Sequence, residues 1–338
     1  MPVKFTKLPN PDTLPSGACY GCNFSPDVTY LAITSGYSPY VLIYKRNGDT
    51  FTKLSDLSGL PTGAAYNCNF SSDGTYLALT HYNSPYITIY KRSGDTFTKL
   101  SNPANLPTGQ GNDCVFSADM TYLAVAHKNS PYITIYKRSG DTFTKLSDPA
   151  TLPAGDAYGC AFSSDGTYLA VAHVNSPYIT IYKRSGDTFT KLSDPATLPT
   201  STAWDCVFSP DGTYLAIVAS SSPYIYVYKR SGDTFTKLSD LPSRPGNGAQ
   251  GCAFSPDGAY LAATTPSDSP YIFIYNKSGD KFIRLPDPDT APSQSTNNCT
   301  FSSDRNYLVV THYYSPYFTI YKRIMDYPNA MLLMFLAS

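Results

Sequence analysis

Short runs of apolar residues alternate with clusters of turn residues along nearly the whole chain. Within one representative unit, four such runs are separated by Ser, Gly, Asp and Asn. Runs of this length that are rich in Tyr, Ile, Leu and Thr are typical of β-strands rather than helices. The predicted strands of this unit are a (residues 66–71), b (residues 75–81), c (residues 86–92) and d (residues 96–100).

The segments between these runs contain tight-turn residues. Residues 72–74 are Ser-Asp-Gly, and residues 93–95 are Ser-Gly-Asp. Glycine adopts a positive φ without steric cost, so both segments favour tight turns between antiparallel strands. The first copy has Asn47-Gly48 at the second of these turns, and Asn-Gly is a strong hairpin signal. Each unit is therefore predicted to be a four-stranded antiparallel sheet.

The unit recurs along the chain with a nearly constant period. Residues 84–100, SPYITIYKRSGDTFTKL, recur unchanged at residues 130–146 and 176–192. The motif Cys-x-Phe-Ser is spaced by 46 residues five times and by 47 once, beginning at Cys22, Cys68, Cys114, Cys160, Cys206, Cys252 and Cys299. Four strands in a repeat of about 45 residues are typical of a β-propeller blade.

The two ends of the chain complement one another. The seventh repeat stops after Tyr321-Lys322-Arg323, and the missing fourth strand, Phe-Thr-Lys-Leu, lies at residues 5–8. A ring gains closure from this arrangement, because the N-terminal strand pairs with the last blade and covers its edge. We therefore predict an all-β, seven-bladed β-propeller over residues 1–323, with residues 3–8 as the outer strand of blade seven. We expect residues 324–338 to form a separate apolar tail.

Some residues resemble a known family. Residues 208–216, FSPDGTYLA, resemble the segment joining strands a and b in WD-repeat propellers, and Ile89-Tyr90 stands where their Trp-Asp pair ends strand c. The resemblance covers residues 1 to about 323, and the near-identical copies are similar to recently amplified bacterial and phage propellers. It implies a binding scaffold without a single activity. No repeat has the Gly-His pair of that family, and Lys-Arg follows the tyrosine where aspartate is expected. The resemblance therefore concerns the blade and not the family's histidine–aspartate network.

The charge balance argues against two classes of partner. Lys plus Arg and Asp plus Glu number 25 each, so no net field would attract nucleic acid or an anionic membrane. The first ten residues lack the apolar stretch of a secretory signal. The longest apolar run, residues 331–337, is too short to span a bilayer. We expect no nucleic-acid partner and no membrane span, and we favour virion or cell-surface assembly over a cytoplasmic location.

The repeated cysteines and histidines have structural interpretations. Blades pack about 10 Å apart, too far for a disulfide, so the repeated cysteines are predicted to be small buried residues of the innermost strand. Cys19-x-x-Cys22 lacks an adjacent helix and is weak evidence for metal or redox chemistry. Four histidines occupy one equivalent position at the end of strand b, and we expect them to be polar rim residues: His81, His127, His173 and His312. No metal and no cofactor is predicted.

The Lys-Arg pairs invite an electrostatic interpretation. Lys91-Arg92 precedes a turn that contains Asp95, and the same arrangement recurs in other copies. We expect each pair to be neutralised within its own hairpin. A basic ring that binds nucleic acid is the alternative interpretation.

Differences among the copies indicate which face could bind a ligand. The b–c turns and the d–a connections vary, and both should emerge on one side, the top. The two positions before each repeated cysteine also vary, and they should surround the mouth of the central channel. Aromatic, amide and carboxylate groups at a concave mouth suit a glycan or a polar peptide, and neutral drift remains open. The predicted ligand-binding residues are Tyr20, Tyr66, Asn112, Asp113, Tyr158, Trp204, Asp205, Gln250 and Asn297.

Catalysis is the minority interpretation. Propeller lactonases use a glutamate at their metal, and all 25 acidic residues of this chain are aspartates. Most arginines belong to the repeated pairs, which argues against the arginine cluster of a sialidase. Asp113 and Asp205 could act as paired carboxylates, but they lie two blades apart. A hydrolase or lactonase with its site at the central channel is therefore the alternative to a non-catalytic binding and assembly scaffold.

The C-terminal segment has a composition unlike that of the repeats. Residues 324–338 contain three of the five methionines, and an exposed apolar segment stays ordered only when it is docked. A frayed end, or a flap that docks on its own ring, is the alternative interpretation. We expect the segment to mediate self-assembly or to dock on a protein partner, as in a structural component of a virion or cell surface. The predicted docking residues are Met331, Leu332, Leu333, Met334, Phe335 and Leu336.

Overall fold

The structure, a computed structural model, describes residues 3–325. These residues form seven antiparallel sheets of four strands each, arranged as a ring, and none of them is helical. The predicted seven-bladed β-propeller is confirmed. Among residues 3–325, no helix is long and apolar enough to cross a bilayer.

The strands follow one another around the ring in chain order. Blades one to three contain β2 (Cys19–Phe24), β3 (Tyr30–Ser35), β4 (Val41–Asn47), β5 (Thr50–Lys53), β6 (Ala65–Phe70), β7 (Tyr76–His81), β8 (Ile87–Ser93), β9 (Thr96–Lys99), β10 (Gly111–Phe116), β11 (Tyr122–His127), β12 (Ile133–Ser139) and β13 (Thr142–Lys145). Blades four and five contain β14 (Ala157–Phe162), β15 (Tyr168–His173), β16 (Ile179–Ser185), β17 (Thr188–Lys191), β18 (Ala203–Phe208), β19 (Tyr214–Ala219), β20 (Ile225–Ser231) and β21 (Thr234–Lys237). Blades six and seven contain β22 (Cys252–Phe254), β23 (Tyr260–Thr264), β24 (Ile272–Ser278), β25 (Lys281–Arg284), β26 (Thr296–Phe301), β27 (Tyr307–His312), β28 (Phe318–Met325) and β1 (Val3–Lys7).

Blade seven is completed by the N-terminal strand. Its strand order is β26, β27, β28 and β1, and Phe5 lies opposite Arg323. Phe97 lies opposite Arg92 in the same way in blade two. The predicted closure of the ring is therefore confirmed. Strand β28 extends to Met325, so residues 324 and 325, which we had assigned to the tail, belong to the blade.

The core lies between neighbouring blades. Tyr30 and Ile43 of blade one pack with Leu77, Tyr90 and Phe97 of blade two in one buried cluster. The rings of Tyr30 and Phe97 meet edge to face, with centroids 5.6 Å apart, which is a favourable aromatic geometry. Equivalent clusters recur around the ring, so most of the repeated aromatic residues are accounted for by packing.

The charged residues at the c–d turns join one blade to the next. Lys91 Nζ lies 2.8 Å from Asp141 in blade three, and the Tyr76 hydroxyl donates to the same carboxylate at 2.5 Å. The guanidinium of Arg138 lies over the Tyr76 ring. Our prediction that each Lys-Arg pair neutralises its own hairpin is therefore wrong. Within residues 3–325 the lysine–aspartate contact crosses the blade boundary at six of the seven junctions.

The junction between blades six and seven is the exception. Blade seven has no c–d turn, because its strands c and d come from opposite ends of the chain. It therefore offers no turn aspartate to blade six. At this junction the lysine position of the repeat is occupied by Asn276, so no unpaired lysine faces the gap. The departure from the repeat at this position follows from the place where the ring is closed.

Candidate functional site

The predicted ligand-binding residues come together at the mouth of the central channel. A cavity of about 310 Å³ is lined by all nine of them and, in addition, by Asn67, Gln110, Asn298 and Tyr313. Below it, the innermost strands surround a chamber of about 250 Å³, whose wall includes the repeated cysteines. The sequence argument missed Gln110 and Tyr313 as mouth residues, although the b–c turn that contains Tyr313 was among the variable turns.

A repeated irregularity in the innermost strands directs side chains into the mouth. In the pairing of β6 with β7, the register shifts between Ala65 and Asn67, so that Tyr66 has no partner residue. The same shift leaves Asn112, Tyr158 and Trp204 unpaired in blades three to five. A β-bulge of this kind turns its extra residue out of the strand's alternation. In blades two to five, the residue two before the cysteine therefore faces the mouth instead of the space between blades.

The aromatic residues of the mouth form two groups. The ring centroids of Tyr158 in blade four and Trp204 in blade five are 4.6 Å apart, and Trp204 Nε1 donates to the Ser220 hydroxyl at 2.7 Å. The ring centroid of Tyr20 lies 5.4 Å from that of Tyr66 and 5.9 Å from that of Tyr313 in blade seven. Blades four and five lie opposite blades seven, one and two in a ring of seven, so two aromatic walls face one another across the cavity.

Amide side chains separate the two aromatic walls. Asn112 Nδ2 donates to the Ala157 carbonyl at 2.7 Å, and Gln110 Nε2 donates to Asn112 Oδ1 at 2.8 Å. On the other side, Asn297 Nδ2 donates to the Cys19 carbonyl at 2.7 Å. Gln250 Oε1 is buried and has no hydrogen-bond partner among residues 3–325.

The carboxylates of Asp113 and Asp205 hold neighbouring blades together. Asp113 accepts backbone N–H groups from Cys114 at 2.8 Å and, in the next blade, from Cys160 at 2.7 Å. Asp205 accepts the equivalent bonds from Cys206 in its own blade and from the cysteine of blade six, at 2.7 and 3.0 Å. Both residues line the mouth as predicted, but their oxygens are engaged by the protein backbone. Their first role is structural.

Steric exclusion explains the variation at the position before each cysteine. A Cβ atom on Gly159 would lie 2.7 Å from the Cα of Asp205 in the next blade, and one on Gly21 would lie 2.8 Å from the Cα of Asn67. Larger residues and glycine therefore alternate around the ring. Seven positions cannot alternate perfectly, and the two adjacent larger residues are Asn67 and Asp113. There the Asn67 amide donates a hydrogen bond to the Asp113 carboxylate.

The environment of the channel shifts the acidity of these groups. Burial raises the pKa of the Asp113 carboxyl, although the hydrogen bonds it accepts act in the opposite direction. Burial also raises the pKa of Asp205, and the charge of Asp113 raises it further. All eight cysteines are buried and free, which confirms the prediction for the seven repeated ones, and burial raises the pKa of the Cys114 thiol. Such thiols are poor nucleophiles near neutral pH.

The four histidines are buried, so our expectation that they are rim residues is wrong. His81, His127, His173 and His312 end the second strand of their blades, and each has its Nε2 atom 2.9–3.1 Å from a threonine hydroxyl of the third strand. Burial lowers the pKa of His81 and of His312 to about 4. These side chains are neutral hydrogen-bonding groups of the blade near pH 7. No group of three or more His, Cys, Asp or Glu side chains within residues 3–325 is arranged to hold a metal.

No protein-family model matches the chain, and no curated protein matches its sequence. The seven-bladed fold rests on the strand pairing, and the likeness of residues 208–216 to WD-repeat propellers stays a resemblance. What the mouth can bind therefore has to be inferred from its own side chains.

The raised carboxyl pKa of Asp205 predicts a pH-dependent stability. A folded state with a raised pKa holds a proton that the unfolded chain releases, so its stability falls as pH rises from about 4 through the raised value. Asp205→Asn removes this pH dependence of stability but leaves the Cys252 N–H without its acceptor. We expect the variant to be less stable than the wild type near pH 4, and the gap to close as pH rises. The difference in unfolding free energy between the two proteins should narrow by about 1.4 kcal/mol for each tenfold by which folding weakens the acidity of this carboxyl.

Thermal unfolding midpoints of both proteins, measured from about pH 4 to about pH 9 at constant ionic strength, check this prediction. Asp211→Asn is the matched control. Although burial opposes it, hydrogen bonds from Ser209 and Thr213 lower the pKa of the Asp211 carboxyl. Because that carboxyl gains its proton only below about pH 4, the deficit of the variant should stay nearly constant over this range. Parallel profiles for the wild type and Asp205→Asn would show that the channel carboxyl has an ordinary pKa.

Proposed function

We propose that the chain is a non-catalytic recognition module that binds a glycan at the channel mouth. The observation that supports this most is the pair of aromatic walls, Tyr158 with Trp204 and Tyr20 with Tyr66 and Tyr313, on opposite sides of one cavity. Sugar rings present apolar C–H faces to aromatic rings and hydroxyl groups at their edges. A site with two aromatic walls and amides between them matches both features.

The distribution of charge also favours a neutral ligand. The mouth is lined by no lysine or arginine, so nothing there would pair with a phosphate, sulfate or carboxylate group. Its two carboxylates already accept backbone hydrogen bonds. Gln110, Asn112, Gln250 and Asn297 supply the donors and acceptors that hydroxyl groups require. The cavity volume lies near the lower end of the range for small-molecule sites.

A hydrolase or lactonase at the central channel is the competing function. One observation favours it, because Asp113 and Asp205 line the same cavity and both have a raised carboxyl pKa. Raised carboxyl pKa values occur at catalytic sites. Each of these carboxylates, however, joins the innermost strands of two blades. Using either as an acid or base would break that contact, so we favour binding without catalysis.

We also propose that the chain is a building block of a larger assembly, as in a virion or surface structure. The support is the sequence of the C-terminal segment, whose apolar residues Met331, Leu332, Leu333, Met334, Phe335 and Leu336 lie outside the described residues. Strand β28 ends at Met325 on the outer part of blade seven. The segment therefore leaves the ring away from the mouth, and binding and assembly can use different surfaces.

Loss of either ring of the Tyr158–Trp204 wall should weaken recognition. Trp204→Ala and Tyr158→Ala should each weaken binding to the best ligand from an immobilised glycan array by about tenfold or more, as expected for central aromatic residues of a site. Titration calorimetry with that ligand measures the effect. Val174→Ala, in a top-face turn outside the cavity, is the control and should bind normally. If both aromatic variants bind like the wild type, the mouth is not the site.

Removal of the C-terminal segment should separate assembly from folding. A chain that ends at Met325 keeps all of β28, and we expect it to unfold at the same temperature as the full-length protein while remaining monomeric. Light scattering after size-exclusion chromatography measures the mass of each. A full-length variant with serine in place of Leu332, Leu333 and Phe335 tests the apolar residues alone. Equal masses for the full-length and shortened proteins would refute the proposed role of the segment.

A further inference from the structure

Exposed tyrosines are concentrated on one part of the top face. Six large apolar side chains are exposed within residues 3–325, and four of them are tyrosines in the b–c turns of blades seven, one and two. Tyr37, Tyr82, Tyr313 and Tyr314 are 59%, 55%, 47% and 56% exposed. We call these four residues the tyrosine sector. Blades three to six have no exposed aromatic residue in the equivalent turns, so the sevenfold pattern is broken on one side.

Comparison among the repeats shows what two of these tyrosines replace. In blades two, three and four the equivalent turn residues are Asn83, Asn129 and Asn175. Their side-chain amides donate to backbone carbonyls of the preceding d–a connection at 2.9, 3.3 and 3.0 Å. Tyr37 and Tyr314 occupy this position in blades one and seven and cannot make that bond. In blades one and seven, an exposed ring therefore stands where other blades have a hydrogen bond that stabilises the turn. Packing within the ring of blades does not explain this replacement.

The backbone supports one ring of the tyrosine sector, Tyr37, and one ring of the mouth, Tyr20. A Cβ atom on Gly17 would lie 2.2 Å from the Tyr37 ring, and one on Gly36 would lie 3.0 Å from the ring of Tyr20. Each tyrosine therefore packs against a glycine, where any larger residue would displace it. Rings supported in this way lose little conformational freedom when a ligand stacks on them.

The tyrosine sector is continuous with the mouth. The rings of Tyr313 and Tyr314 are 6.0 Å apart, and Tyr313 contacts Tyr20, which in turn contacts Tyr66. Burial raises the pKa of the Tyr20 hydroxyl, and the nearby hydroxyls of Tyr313, Tyr66 and Tyr37 raise it further. Aromatic rings thus extend from the cavity outward over three adjacent blades.

The composition of the tyrosine sector favours a neutral ligand, and its contact with the mouth through Tyr313 favours the glycan proposed there. Its turns, residues 36–40, 82–86 and 313–317, contain only Tyr, Ser, Gly, Asn and Pro. Protein interfaces are enriched in Met and Arg as well as in aromatic residues, and these turns have neither. They also have no charged residue, so an anionic or cationic ligand would find no partner there. Tyrosine, serine and asparagine offer stacking faces together with hydroxyl and amide groups.

We propose that the tyrosine sector provides outer subsites for a neutral oligosaccharide whose inner unit occupies the channel mouth. The protein would then recognise an extended chain instead of a single sugar. This inference rests on the proposed function and adds to it the length of the ligand and the direction in which it runs.

Binding to sugars of increasing length tests this inference. The probes are the monosaccharide to hexasaccharide members of the cello-, malto-, manno- and N-acetylchito-oligosaccharide series, and affinities are measured by calorimetry or by competition. We expect wild-type affinity to rise with length in one series. The triple variant Tyr37→Ala, Tyr82→Ala, Tyr314→Ala should bind the shortest ligand normally and the hexasaccharide about tenfold or more weakly, since each ring–sugar contact contributes a modest gain.

Two further proteins control for structural effects. The triple variant with phenylalanine at the same three positions keeps the stacking faces and should retain most of the length dependence. Lys128→Ala with Val174→Ala changes the equivalent turns of blades three and four and should bind like the wild type.

Four outcomes would overturn the inference, and they are distinguishable. Affinity that does not depend on length, or an alanine variant that weakens short and long ligands equally, would exclude outer subsites while leaving the mouth as a site. An alanine variant that binds every oligosaccharide normally but loses a protein partner would show that the tyrosine sector is a protein interface. Wild-type protein that binds none of these series, nor any other immobilised glycan, would refute the proposed function itself.

Discussion

The pairing of β1 with β28 is the contact on which the rest of the structure depends. It joins the two ends of the chain in one blade, from Val3 opposite Met325 to Lys7 opposite Tyr321, and it covers what would otherwise be an open strand edge. Closure also brings blade seven against blade one, where Lys322 and Tyr307 both contact Asp49. Only a closed ring surrounds a central channel, and the candidate site lies at one mouth of that channel.

The closed ring separates two kinds of sequence variation. Between blades, the aromatic clusters and the lysine–aspartate–tyrosine contacts recur almost unchanged. At the mouth, the residue before each repeated cysteine varies because a larger residue there needs a glycine in the neighbouring blade. Seven positions cannot alternate perfectly, so Asn67 and Asp113 are adjacent. The residues two before each cysteine and the b–c turns vary without such a packing reason, and they contain the aromatic walls and the tyrosine sector. Packing therefore explains the variation before each cysteine. It does not explain the variation in the aromatic walls and the tyrosine sector, to which we assign binding.

The sequence predicted the architecture because its signals are local or recur. The four runs per repeat, the turn residues and the displaced strand at residues 5–8 determine the blade count and the closure. It could not assign partners between blades. In a repeat of 46 residues, Asp95 and Asp141 are equivalent, so nothing in the sequence tells whether Lys91 pairs within its own blade or with the next. The burial of His81 was missed for a related reason, since its threonine partner lies on the adjacent strand.

The most direct test of this account is to move the N-terminal strand to the other end of the chain. A chain of residues 9–323 should be strongly destabilised, by roughly 3–5 kcal/mol from the loss of the buried Phe5 ring alone. Adding Ser-Gly-Asp-Thr and then residues 5–8 after Arg323 would rebuild the hairpin that the other blades have. Thermal unfolding should then return to within a few degrees of the midpoint for residues 1–325. A chain of residues 9–323 that unfolds at the same temperature as residues 1–325 would contradict the closure of the ring by this strand.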